Sequence, residues 1–201
     1  MIIGICGKSG SGKSTIAKQI TSRYKNAVHL DIDKIAHKSH KDEEVKQKII
    51  STFTESVLTN NEIDRKKLGR IVFASKEKMK LLEEITWEFM EKEIDNLINE
   101  NKDKIIILDY ILLPLTKYFD KCNIKILLDI PYHIRKQRVL SRDDITEEQF
   151  DLRDSAAIQY EMSDFDIVLE NEKEDILRRI LIWQEFYIQE VLIQLLKDIW
   201  I

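Results

Sequence analysis

The chain has 201 residues, 43% of them hydrophobic, enough for one well-packed α/β domain and too few for a second full one. Its 32 basic residues face 36 acidic ones, so the net charge of -4 argues against a nucleic-acid-binding surface and confines any cationic site to a local patch. Cys6 and Cys122 stand far apart, without Cys-x-x-Cys spacing, which fits a reducing cytoplasmic setting, and charge interrupts the apolar runs within about ten residues, short of the roughly 18 that span a bilayer.

Met1 to Cys6 reads as a buried strand and Lys13 to Tyr24 as the helix after it, with Ile16 and Ile20 on one apolar face. Four of the five glycines, Gly4, Gly7, Gly10 and Gly12, lie in or between these two elements. A chain that spends glycine so sparingly places it where the backbone needs unusual angles or close approach. Val28 to Asp31 predicts a second strand. From Lys34 to about Lys102 no strong strand is expected, and Leu68, Ile71 and Val72 with Leu81, Leu82 and Ile85 keep helical spacing, so residues 34–103 read as a helical excursion. Lys104–Asp109 and Ile124–Ile130 are compact apolar runs containing or ending at acids, typical of strands covered on both faces. A helix with Arg135 and Arg138 follows, then a polar loop at Ser141–Thr146, a last strand at Asp166–Leu169 and a long amphipathic helix from Glu174. Strands separated by helices predict a three-layer α/β fold with a five-stranded parallel sheet and helices on both faces.

Gly7-Lys8-Ser9-Gly10-Ser11-Gly12-Lys13-Ser14 matches the full G-x-x-x-x-G-K-[ST] pattern of a P-loop, between a strand and a helix as the motif requires. Backbone N–H groups and the helix N-terminus would receive phosphate oxygens, Lys13 would neutralise the terminal phosphates of ATP, and Ser14 would offer its hydroxyl to Mg2+. Asp31 and Asp33 close the second strand, where ligands of open α/β sheets gather, and either could orient or deprotonate an acceptor hydroxyl; as strand-ending acids they could equally cap the next helix. Asp109 and Asp129 each look like the acid that closes an apolar strand and reaches toward the metal, and the pattern does not choose between them. Arg135, Arg138 and Arg142 are spaced to share one helical side as a mobile lid over the transferring phosphoryl group, or to be solvated surface arginines. Trp87, Trp183 and Trp200 read as packing residues, and His29, His37, His40 and His133 lack metal-ligand spacing.

On these residues the chain resembles the dephospho-coenzyme A kinases, which phosphorylate the ribose 3′-hydroxyl of dephospho-CoA with ATP. Leu30-Asp31-Ile32-Asp33-Lys34-Ile35-Ala36 is similar to the family's D-x-D-x-I-A segment, whose catalytic carboxylate falls on Asp33. Asp64-Arg65-Lys66-Lys67-Leu68 followed by Val72-Phe73 resembles its D-R-x-x-L…V-F helix in the acceptor-binding region. Leu108-Asp109-Tyr110-Ile111-Leu112-Leu113 is similar to a segment lining the acceptor site, which favours Asp109 over Asp129. Gln137–Thr146 resembles the lid, about 135–150, with Arg138 and Arg142 on its arginines, and Asn171 falls on the asparagine of the base loop. The resemblance therefore implies nucleotide contacts from Ser9, Gly10, Ser11, Gly12, Lys13, Ser14, Thr15, Arg138 and Asn171. It puts Asp31, Arg65 and Asp109 on the acceptor, with Asp33 as base and Lys13 and Arg142 stabilising the transfer.

The chain departs from the family pattern at Trp87-Glu88, where His-Pro is usual, at Tyr110 or Ile111 for a proline, at Glu172 for a glycine, and in a blurred Arg-x-x-Gln helix around Arg153–Gln159. Another P-loop nucleoside or nucleotide kinase and a non-catalytic ATP-binding regulator are the competing readings. A GTPase is disfavoured by the lack of an Asn-Lys-x-Asp segment. A cytoplasmic monomer that uses ATP and Mg2+ is the expectation.

Overall fold

The computed structural model describes residues 1–72 and 74–170. The expected strand beginning at Asp166 is seen, whereas Phe73, Asn171, Trp183, Trp200 and the expected C-terminal helix lie outside the described residues.

Five strands, β1 (Ile2–Cys6), β2 (Ala27–Asp31), β5 (Ile105–Asp109), β6 (Ile124–Leu128) and β7 (Ile167–Leu169), form one parallel sheet in the order β2-β5-β1-β6-β7. The central three are almost wholly apolar because side chains on both faces are covered. Along β5 the pleat separates two cores. Ile107 packs toward α1 (Lys13–Arg23), with Ile16, Ala17 and Ile20. Ile106 and Leu108 face the opposite way, toward Ile32 and Ile35 of α2 (Ile32–Ser39) and Met90 and Ile94 of α5 (Lys76–Glu100). This is the expected three-layer arrangement.

The excursion between β2 and β5 has a core of its own. Val45, Ile49 and Phe53 of α3 (Glu43–Phe53) meet Leu68 and Val72 of α4 (Arg65–Val72) around Val57. Leu82 and Ile85 pack on that cluster, but Leu81 is exposed, so its place in the helical spacing does not make it a core residue. The excursion is also not wholly helical. Leu58–Thr59 (β3) and Glu62–Ile63 (β4) form a small antiparallel hairpin, turned by Asn60 and Asn61 at φ 51° and 62°. Asparagine tolerates these left-handed angles, and two such residues in succession suit the twist of a tight hairpin.

Trp87 packs half-buried against the α2–α5 core, and Glu88 lies 3.3 Å from Lys48 of α3. Proline in a helix interior removes a hydrogen bond and clashes with the preceding turn. Trp87-Glu88 instead leaves α5 continuous for 25 residues.

Candidate active site

The carboxyl ends of β1, β2 and β5 converge where the chain first turns from strand into helix. Gly10 at φ 81° and Gly12 at φ 98° adopt left-handed backbone that other residues resist. A Cβ on Gly10 would come within 2.6 Å of the Arg135 carbonyl oxygen. Gly12 caps α1 without a side-chain hydrogen bond, and no acid stands in the first turn. By contrast Asp31, Asp42 and Thr146 cap α2, α3 and α7 (Glu147–Ser155). The positive end of α1 is thus left open for an anion.

Lys13 extends back over the loop, donating from Nζ to the Gly7 carbonyl at 2.8 Å. Ser11 is 3% exposed, and its Oγ has no hydrogen-bond partner among the described residues. A buried hydroxyl without a partner is costly, and a phosphate oxygen would supply an acceptor. Ser9 is exposed and its carbonyl accepts from Arg135 at 3.4 Å; Thr15 is exposed, with its backbone N–H on the Gly12 carbonyl at 3.0 Å.

Ser14 donates from Oγ to Asp109 Oδ2 at 2.6 Å, and His29 Nε2 lies 3.1 Å from the same oxygen. Asp109 is 2% exposed. Burial alone would raise its pKa, but hydrogen bonds from His29 and Ser14, with the Lys13 charge nearby, hold it below the usual carboxylate range. Asp129 is exposed beyond the end of β6. The structure therefore separates the two strand-ending acids that the strand pattern left equal, in the direction the family resemblance favoured. His29, Asp31 and Asp109 each present a ligand atom within 4.8 Å of the others. The histidines had given no metal-ligand spacing because this contact joins positions 80 residues apart. Oxygen donors at Ser14, Asp109 and Asp31 have the hard-ligand chemistry that suits Mg2+.

Asp31 and Asp33 do not both end the strand. β2 stops at Asp31, which caps α2: its Oδ1 accepts from the Lys34 backbone N–H at 3.1 Å and its Oδ2 pairs with Lys34 Nζ at 2.7 Å. Asp33 belongs to the first turn of α2. It is open to solvent yet crowded by protein, as on the floor of a cleft. Weakened hydration raises its pKa from 3.8 to about 6 against the pull of Lys13, with Asp109 and Asp31 adding repulsion. Tyr110, one of the departures from the family pattern, is buried, and its phenol is raised by burial and by the charge of Asp33.

The three arginines of α6 (Tyr132–Arg142) do not act alike. Arg135 is 5% exposed; it donates from Nε to the Ile130 carbonyl at 2.9 Å and from both terminal nitrogens to Asp154, with the Nη2 bond at 3.2 Å. That corrects its expected place among lid arginines, because its fork is used inside the fold to tie α6, α7 and the loop together. Arg138 is exposed and reaches the Gly10 carbonyl at 3.3 Å. Arg142 is exposed and paired in bidentate fashion with Asp143, both bonds 2.8 Å. The helix runs through Arg142, so the expected polar loop shortens to residues 143–146 before the capping box of Thr146 and Gln149.

Arg65 opens α4 on the excursion and makes no ion pair with Asp31, Asp33 or Asp109. Its charge helps keep His37 and His40 neutral: burial is the main cause in each, and His40 falls to about 4. Tyr160 was not singled out by motif. Its hydroxyl accepts from the Gly7 N–H at 3.2 Å and donates to the Ile111 carbonyl at 2.7 Å, joining the P-loop to the end of β5. Gln159 beside it accepts from Lys8 Nζ at 3.4 Å. Cys6 and Cys122 are free thiols raised chiefly by burial, Cys122 to about 12, and neither is poised for reaction. No described helix is long and apolar enough to cross a membrane.

A family model described as dephospho-CoA kinase matches residues 1–176. A dephospho-CoA kinase of Fusobacterium nucleatum is 35% identical over 186 residues, covering 90% of this chain and 95% of that protein. One from Enterococcus faecalis is 34% identical over 194 residues, covering 92% and 96%. A crystal structure from Thermus thermophilus superposes with a TM-score of 0.77 at 26% identity, covering 90% and 96%. The dephospho-CoA kinase of Campylobacter jejuni shares the fold, with a TM-score of 0.62 at 24% identity and coverage of 92% and 96%.

Proposed function

The chain belongs to the dephospho-CoA kinase family, and from that membership we propose that it transfers the γ-phosphoryl group of ATP to the ribose 3′-hydroxyl of dephospho-CoA, with Asp33 as general base. The observation that carries the residue assignment is the position of Asp33. It is an accessible carboxylate with a pKa near 6, within the field of Lys13 and beside the acids of the β2 and β5 ends. A base poised just below neutral pH is ionised at working pH yet basic enough to take a hydroxyl proton.

The remaining roles follow from what phosphoryl transfer requires. The backbone N–H groups of Ser9 to Thr15, the open end of α1 and the Ser11 hydroxyl hold the phosphates. Lys13 releases the Gly7 carbonyl to meet the terminal phosphate and, with Arg142, balances charge developing on the transferred group. Arg138 joins the nucleotide from the edge of the loop, and Asn171 is assigned to the base on resemblance alone. Ser14 and Asp109 hold Mg2+, which supplies charge neutralisation at the phosphates when bound. Asp31 fixes the start of α2 and so the direction of Asp33, while Arg65 offers a cation to the acceptor's phosphates. Residues 34–103 form the acceptor-binding region, and residues 135–150, apart from the buried Arg135, form the lid of one kinase domain. A cytoplasmic location is consistent with two free cysteines, Cys6 and Cys122.

Incubation of the full chain with ATP, Mg2+ and dephospho-CoA, followed by mass spectrometry and 31P NMR, tests this reading. One equivalent of CoA per ADP, bearing a new 3′-phosphomonoester, is expected. ADP formed without CoA, or product only from nucleoside or nucleotide acceptors, would contradict it.

A further inference from the structure

One feature of the floor exceeds what an oxygen-only Mg2+ site requires. Asp109 Oδ2 receives Ser14 Oγ at 2.6 Å and also has His29 Nε2 at 3.1 Å. Ligand atoms of His29, Asp31 and Asp109 lie within 4.8 Å of one another, and the His29 side chain is only 12% exposed. His29 and Asp109 are hydrogen-bonded at 3.1 Å, and adjacent ligands of an octahedral ion with bonds of about 2.1 Å stand about 3.0 Å apart, so an ion that displaced the shared proton would need little movement of either group. Mg2+ favours oxygen and retains its water, whereas imidazole nitrogen favours later first-row divalent ions.

We propose that His29 makes this a mixed nitrogen–oxygen site, which takes a borderline divalent ion of the Co2+ or Zn2+ class through His29 Nε2 and an Asp109 carboxylate oxygen, beside Ser14. Asp31 supplies a third group at the edge, directly or through a water. The proposal rests on the reading that Ser14 and Asp109 hold the metal that accompanies nucleotide. It adds to that reading a residue that sets metal preference, and it requires no change in the phosphoryl-transfer step.

The test uses the full chain with ADP and Co2+ as the probe. Calorimetry measures Co2+ and Mg2+ affinity for wild type, His29→Gln and His29→Val, and proton NMR of the Co2+ form looks for hyperfine-shifted imidazole ring signals. Glutamine can still hydrogen-bond Asp109 but replaces the nitrogen ligand with an amide, so it separates coordination from mere positioning. Wild type is expected to show the shifted ring signals. Both variants should lose them, and the ratio of Co2+ to Mg2+ affinity should fall about tenfold while ADP binding without metal is unchanged. Shifted signals that persist in His29→Gln, or an unchanged affinity ratio, would overturn the His29 assignment and leave the Mg2+ reading intact. If neither metal strengthens ADP binding, the reading of Ser14 and Asp109 falls first and the proposal falls with it.

Discussion

The floor of the cleft and the arginine helix beside it hold their charges in opposite ways. On the floor, Ser14 and His29 both bond the Asp109 carboxylate, and Asp33 is set into the first turn of a capped helix. On α6 the charge nearest the protein interior, Arg135, is fully committed to Asp154, the Ile130 carbonyl and the loop. Arg142, only seven positions on, is held by an exposed pair with Asp143. A buried pair broken on one side costs about 3–5 kcal/mol, whereas an exposed pair is worth about 0–1 kcal/mol. That contrast assigns Arg135 to the fold, and under the proposed function it leaves Arg142 to be recruited at little cost by nucleotide. The floor is bonded together in advance, whereas the Arg142 charge is inexpensive to move.

The largest effect is expected on the floor. Asp33→Asn should lower kcat by about 10²–10⁴-fold with ADP affinity retained, measured by coupled assay and calorimetry. The same variant should not be less stable at pH 8. A carboxyl raised on folding from 3.8 to about 6 gives stability that is fully present below the lower value and is lost as pH rises through the higher one, so asparagine removes a liability at pH 8. A fall in melting temperature together with turnover would point to a structural role instead.

Arg135→Ala should destabilise the chain by about 3–5 kcal/mol, read by denaturant unfolding, because Asp154 would keep a largely buried charge without its partner. Removal of both partners should recover part of that loss. Arg142→Ala should leave stability within about 0.5 kcal/mol of wild type while lowering kcat by about 10²-fold, with little change in KM for ATP. If Arg135→Ala proved stable and inactive, or Arg142→Ala unfolded, the division between them would be reversed. The smallest effect is expected for Asp143→Ala, which releases Arg142: stability should change by less than about 1 kcal/mol and kcat should be kept or slightly raised.

The floor was also the more legible of the two in sequence, for a physical reason. A strand, a glycine turn and a helix N-terminus are local features, so the clustered glycines and the apolar run before Gly7 announce a phosphate cradle without knowledge of the rest of the chain. The parallel sheet was readable for a similar reason, since Ile105–Asp109 and Ile124–Leu128 are apolar but for Asp109 and Lys125. The residue pattern alone did not separate Asp31 from Asp33, because whether an acid caps a helix or projects from its first turn depends on where the strand stops; only the family resemblance distinguished them. His29 meets Asp109 across neighbouring strands, and Tyr160 crosses from a late loop to Gly7; neither juxtaposition leaves a pattern along the chain. Arg135 misled for the complementary reason. Its spacing matches Arg138 and Arg142, and only the packing of α7 reveals that Asp154 occupies its fork. The Asn60-Asn61 hairpin was missed because its two-residue strands are too short to carry an alternation.

The dependence of kcat/KM for dephospho-CoA on pH, measured at saturating ATP and Mg2+, tests the central claim most directly. With Asp33 as the base, the rate should rise about tenfold per unit below a midpoint near 6 and level off above it. A profile flat from pH 5 to 8, or one whose rise is unchanged in residual Asp33→Asn activity, would contradict the assignment of Asp33 as the group that takes the acceptor's proton.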